Sequence, residues 1–158
     1  MIQRIQTVLF LVAAICFSIA CFMPVGTITT YESYYLITSW GLEENIPNGE
    51  FLHPTYFIGL LQIILAGVSY VAIFLYKKRP TQSRVCIAAL ILNCILLVVM
   101  LWVYPDNILP SRLPFIAGGE TIYSKWTLLS MAPLACFYFA NKFILKDEKK
   151  VRASDRLR

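Results

Sequence analysis

The sequence predicts an all-α membrane protein, a bundle of four transmembrane helices carrying a small extracytoplasmic β cap built from its two outer loops. Three observations lead there. Only 15% of the residues are charged and mean hydropathy is +0.66, against roughly 25% charged residues in an ordinary soluble domain. Four stretches, about 7–25, 55–76, 85–104 and 126–145, contain no Asp, Glu, Lys or Arg apart from Lys142, and each approaches the ~20 residues that a helix needs to cross hydrocarbon. The basic residues, finally, are sorted along the chain in a way that assigns sides.

That sorting sets the topology. Arg4 precedes the first span, Lys77, Lys78, Arg79 and Arg84 fill the link between spans two and three, and Lys142, Lys146, Lys149, Lys150, Arg152, Arg156 and Arg158 close the chain. Twelve of the fourteen bases therefore share one side, leaving Arg112 and Lys125 on the other. By the positive-inside rule the crowded side is cytosolic, and both termini with it. Glu32, Glu43, Glu44, Glu50, Asp106 and Glu120 face outward, against Asp147, Glu148 and Asp155 inside. Trp40, Tyr56, Trp102, Tyr104, Tyr123 and Trp126 fall near the outer boundary, as an aromatic belt would. A net charge of +5 distributed in this way speaks for a lipid bilayer as the first partner and against nucleic acid. The chain reads as one domain, 1–158, with a cytosolic tail over 146–158.

The first span resembles a signal sequence, but its apolar run continues through Phe22, Met23 and Val25, and Ser18 stands three residues before Cys21 where lipoprotein processing wants Leu, Val or Ile. It is expected to stay as a span. Polar and small residues then mark helix seams: Ala14, Ser18 and Cys21 in span one, Gly59, Gln62, Ala66 and Ser69 in span two, Cys86, Ala89 and Asn93 in span three. Small residues admit close backbone approach, and hydroxyl or amide groups bond across for ~0.6 to 2 kcal/mol each. Counted from the outer ends, Ser18 and Gln62 lie level and are expected to pair. Asn93 lies level with Ala66 and Gly67. In span four Pro133 deprives the Leu129 carbonyl of its donor and predicts a bend.

The first outer loop opens TITTYESYYLITSWG, which is strand chemistry, and in the second, SRLPFIAGGETIYSKW, two short runs flank Gly118-Gly119 as in a hairpin. Both loops are expected to join in one sheet, since a lone hairpin is marginal. Cys16, Cys21, Cys86, Cys94 and Cys136 all fall within spans, where they read as packing residues, and neither outer loop offers a disulfide. His53 shares its loop with Glu43, Glu44 and Glu50 but at no metal-ligand spacing, so no metal is expected. Neither a catalytic set nor a cofactor site can be assembled.

Four spans, a long first outer loop and Trp40-Gly41-Leu42 resemble the architecture of the animal tetraspan proteins of the claudin kind, although the loop cysteine pair of those proteins is missing. The two ends, MIQRIQTV and KDEKKVRASDRLR, together with four spans in this length, resemble an uncharacterised Bacteroidota family of small four-span inner-membrane proteins, a domain-of-unknown-function family. That resemblance implies a protein of the bacterial cytoplasmic membrane with no assigned activity and no catalytic residues to carry over.

The tail holds more pattern than a topological anchor requires. Bases at an anionic surface contribute about 1 kcal/mol each, yet Lys146, Asp147, Glu148, Arg152, Asp155 and Arg156 interleave both signs with Val151 and Leu157, as a short docking helix would. The expected role is an accessory or interaction subunit that meets a membrane or cytosolic partner through this tail or the outer loops. The alternative is a carrier or binder of a lipid or small molecule, held between spans near Ser18, Gln62 and Asn93.

Overall fold

The computed structural model describes residues 2–30, 33–44, 51–116 and 118–156. In chain order the elements are α1 (Ile2–Ala20), β1 (Gly26–Thr29), β2 (Tyr34–Ile37), β3 (Gly41–Glu44), β4 (Phe51–Pro54), α2 (Tyr56–Phe74), α3 (Arg79–Arg112), β5 (Glu120–Tyr123) and α4 (Leu128–Arg156). The fold is mostly helical with a small antiparallel sheet. Tyr56–Phe74, Arg79–Arg112 and Lys125–Val151 are long and apolar enough to cross a membrane, while α1 offers the shorter apolar stretch Ile5–Ala20. Among the described residues, three of the four expected spans meet the length on their own.

The helices pack in a ring in which α1 and α3 each lie between α2 and α4. Phe10 and Phe17 of α1 meet Phe137 of α4 with ring centroids 6.3 and 6.2 Å apart, and all three are fully buried. Outward faces are the reverse of a soluble protein's: Ile15, Ile63, Ile91, Val98 and Leu128 are exposed, whereas Gln62, Ser69, Asn93 and Ser130 are buried. Apolar surface on this scale requires an apolar covering, and polar groups turned inward are how helices adhere where the surroundings are as greasy as leucine.

Helix α3 extends well beyond the expected span because it passes through Pro105 instead of ending there. Val99–Ile108 widens into a π-helix, in which the Leu109 amide donates to the Tyr104 carbonyl five residues back. A proline has no N–H to donate into the helix, and within this widened stretch the Leu101 carbonyl accepts from the Tyr123 hydroxyl. Burial, and secondarily the nearby Asp106 carboxylate, push the Tyr123 phenol up from its ordinary value. Tyr123→Phe should therefore lower stability by about 0.5–1.5 kcal/mol, the net value of one hydrogen bond, measured as the unfolding midpoint in detergent micelles. An unchanged midpoint would mean water replaces the phenol.

Five strands form one sheet in the order β4-β3-β2-β1-β5, every pair antiparallel. The first four come from the segment between α1 and α2, and the fifth crosses over from the segment between α3 and α4. The two loops do share a sheet, but the hairpin expected across Gly118-Gly119 is absent. Its first run instead forms the tail of α3 and a 3-10 turn at Pro114–Ile116, and β5 pairs with β1, Tyr123 opposite Gly26 and Glu120 opposite Thr29. Pro114 removes a ladder donor from that run, and Gly118, at φ 91°, serves as a left-handed turn. Ile28, Tyr35, Ile37 and Leu42 turn toward the helices and are buried. Tyr34, Leu36, Glu43, Glu120 and Ile122 occupy the opposite face by register.

Candidate functional site

The sheet is fixed to the helix ends through the turn between β2 and β3. Thr38, in Thr-Ser-Trp-Gly, accepts from the Trp40 and Gly41 amides at 3.3 and 3.1 Å, a side-chain-closed turn. The Ser39 hydroxyl donates to the Ala20 carbonyl (3.3 Å) and the Trp40 indole to that of Cys21 (2.9 Å), which caps the end of α1. The Thr55 amide donates to Trp40 O (2.7 Å) and the Gly59 amide to Ser39 O (2.9 Å), satisfying donors that the first turn of α2 leaves over. Thr55 also donates to the hydroxyl of Tyr104, which is fully buried and sits edge-on to Phe57 at 6.4 Å. Tyr104 is therefore a tie between α2 and α3, and Trp40 a tie between sheet and helices, rather than members of a lipid-facing belt.

Beneath this cap lies the polar interior. The Gln62 amide nitrogen is 3.5 Å from Ser130 Oγ and 3.9 Å from Met100 Sδ, long contacts for both, and its carbonyl oxygen has no partner. Asn93, with 0% of its surface exposed, has no partner for either its oxygen or its nitrogen. Its place follows from its own helix. Cys86, Asn93 and Met100 recur every seven residues on one buried stripe, with Cys86 Sγ donating to Phe137 O at 3.1 Å below and Met100 beside Gln62 above. On α4, Ser130 stands seven residues before Phe137, so in this antiparallel pair it meets the level of Asn93. Pro133, buried on the same helix, withdraws the donor that would have reached Leu129 O. Gln62, Asn93 and Ser130 thus bring neutral donors and acceptors from three helices to one level, and what they can do chemically is hold a hydrogen-bonding group.

Toward the tail end most polar contacts are made, with Gln82 Oε1 left unpartnered. Ser83 donates to Asn141 Oδ1 at 2.7 Å, Gln82 to Ala72 O at 2.9 Å, and Gln6 to Asp147 Oδ2 at 2.8 Å, the last between the start of α1 and the extension of α4.

The structure separates the residues expected to line a pocket. Ser18 is exposed and donates back to Ala14 O at 2.8 Å, so it does not meet Gln62; a serine inside an apolar helix finds its own carbonyl four residues earlier the nearest acceptor. Gln62 and Asn93 do belong to one interior, with Ser130 and Met100, which the seam spacing missed, as their companions. The tail residues Lys146, Asp147, Glu148, Arg152, Asp155 and Arg156 continue α4 without a break. Lys146 is exposed, Asp147 is buried and Glu148 half-buried, while the side chains of Arg152, Asp155 and Arg156 lie outside the described residues, as do Glu32, Glu50, Leu157 and Arg158. His53 lies in β4 opposite Leu42, and among the described residues no three His, Cys, Asp or Glu side chains gather as metal ligands.

A family model described as Domain of unknown function (DUF4293) matches residues 2–157, nearly the whole chain. The chain belongs to that family. No curated protein matches it. Family membership therefore brings no activity with it, and the functional reading rests on surface and interior chemistry.

Proposed function

We propose that the chain is a four-span protein of a bacterial cytoplasmic membrane, both termini cytosolic, and that it acts as an interaction subunit whose outer sheet receives a partner protein. The positive-inside pattern supports the orientation, and α1 completes the bundle by packing along α2 and α4 although its apolar stretch is short. The observation that carries the docking role is the free face of a firmly anchored sheet. Tyr34 and Ile122 are 64% and 58% exposed, and share their face with Leu36, Glu43 and Glu120 by register. A rigid, partly apolar platform rimmed by acids suits a partner with a complementary, basic-edged surface, because little ordering entropy is lost on docking. The basic extension of α4 is a second surface, on the cytosolic side.

The test is a photo-reactive amino acid at position 122 in the native membrane, read beside Ile122→Lys and beside a chain whose last thirteen residues are replaced by an unrelated basic tail. One stoichiometric partner that crosslinks at 122, survives tail replacement and is lost in Ile122→Lys supports the reading. Loss with the tail instead would move docking to the cytosolic side, and no crosslink beyond background would end it.

A second reading, a binder of a small molecule or lipid between the spans, is favoured by one observation: the two unpartnered polar atoms of Asn93.

A further inference from the structure

The geometry points to a binding site for an uncharged, hydrogen-bonding group, a carboxamide or hydroxyl, between α2, α3 and α4 at Gln62, Asn93 and Ser130. The inference rests on the second reading above and adds the place and the ligand class.

Buried polar groups in folded proteins are nearly always paired, and an orphan in a low-dielectric interior costs about 1–3 kcal/mol. Among the described residues six buried side-chain atoms lack a partner, and three of them belong to this site, Gln62 Oε1, Asn93 Oδ1 and Asn93 Nδ2, with the Ser130 hydroxyl held only by a 3.5 Å contact; the others, Thr30 Oγ1, His53 Nδ1 and Gln82 Oε1, lie elsewhere. Asn93 stands apart from the buried glutamines, because it leaves both its oxygen and its nitrogen unpartnered, whereas Gln62 Nε2, Gln82 Nε2 and Gln6 Nε2 each have a contact. The orphans offer a donor and two acceptors, which a ligand carrying both functions satisfies at once: its oxygen accepts from Asn93 Nδ2 and its N–H or O–H donates to Gln62 Oε1 or Asn93 Oδ1. A charged ligand is disfavoured. No ionisable side chain joins the cluster, and the buried carboxylate on α4, Asp147, lies seventeen residues beyond Ser130, about 25 Å along the helix; a lone ion would enter without a countercharge. Gln62 is six residues into α2, about 9 Å below the end of that helix on which the sheet sits. The ligand's polar group is therefore either that of a small soluble molecule or the head of an uncharged lipid at that depth.

The experiment is solution NMR of the full chain in detergent micelles with asparagine-selective 15N labelling, following the Asn93 side-chain amide. Acetamide is titrated as the soluble probe and monoolein, doped into the micelles, as the uncharged lipid; sodium chloride and methylammonium chloride are the charged probes. A saturable shift with acetamide or monoolein, at least tenfold weaker in Gln62→Leu, is the expected result, and which probe acts names the source. The wild-type titration stands by itself should the variant fail to fold. A saturable shift with the charged probes alone would overturn the ligand class while leaving the second reading in place. Contact with water and no shift with any probe would mean ordered water only and would overturn both.

Discussion

Gly59→Ala should destabilise the protein by about 1–3 kcal/mol, the range for forcing an extra methyl into a packed interior, even though alanine is the better helix former by about 1 kcal/mol. A Cβ at this position would lie 2.9 Å from two atoms of the Trp40 ring and 3.0 Å from a third. The ring has little freedom to retreat. Its indole nitrogen is bonded to Cys21 O, its own carbonyl accepts from Thr55, and its neighbour Ser39 is bonded to both Gly59 and Ala20. Any shift of Trp40 therefore stretches bonds that cap α1 and start α2, so the clash is passed to the joint between sheet and helices. Gly67, on the same helix, has nothing within 4 Å of where its Cβ would be, and Gly67→Ala should gain up to about 1 kcal/mol from helix propensity alone. Unfolding midpoints of the two variants in the same micelles decide the matter. In a Trp40→Ala background the Gly59 substitution should lose most of its penalty, a coupling that a double-mutant cycle reads directly. Equal, stabilising effects at Gly59 and Gly67 would mean that the Trp40 contact carries no packing.

What the sequence revealed of this joint was its parts and not their assembly. Thr27 and Thr29, the Tyr-rich run and Gly118-Gly119 identify strand and turn chemistry because those are local properties of side chains. The pairing of β5 with β1 is a contact between residues about a hundred positions apart, and it replaces the local hairpin because Pro114 sits in the run that would have formed it. The same division holds among the helices. Apolar stretches gave their places within a few residues at the tops of α2 and α4, but missed the extension of α3, since the uncharged run that marked the span ends before Asp106 whereas the helix widens into a π-helix and passes through Pro105. Of the candidate site, Gln62 and Asn93 were legible as polar residues on small-residue stripes. Ser18 looked equivalent on its helix, and depth counting could not tell that its hydroxyl bonds to its own backbone. The heptad spacing of Cys86, Asn93 and Met100 was present in the sequence, but it leads from Asn93 toward Ser130 only once the contact of Cys86 with Phe137 fixes the register of the antiparallel α3 and α4.

Gln6→Leu should cost about 1.5–3 kcal/mol, the value of a hydrogen bond to a charged group, and should loosen the last turns of α4 in particular. Asp147 retains only 9% of its surface, and its carboxylate accepts from the Gln6 amide across 141 residues of sequence. Leucine at position 6 leaves that oxygen covered and unpaired, and the remedy open to the chain is to move Asp147 toward water, which means opening the helix beyond Ile144. Asp147→Asn keeps a hydrogen-bond acceptor in place with no charge to strand, so it should cost less than Gln6→Leu. Removing both polar groups, Gln6→Leu with Asp147→Leu, should recover much of the single-variant loss, because a pair replaced by apolar groups leaves no orphan. Hydrogen exchange over residues 145–156 is the discriminating measurement: faster exchange confined to this segment in Gln6→Leu, restored in the double variant. Uniform change along the chain would sink the local account. The outcome bears on function, because a basic helix held in register by Gln6 presents Lys146, Lys149 and Lys150 in a fixed arrangement, whereas the same residues on a frayed end offer only charge. If partner capture on the cytosolic side follows the exchange rate of this segment rather than its charge, the docking surface is the ordered helix, and the sheet face is the lesser of the two.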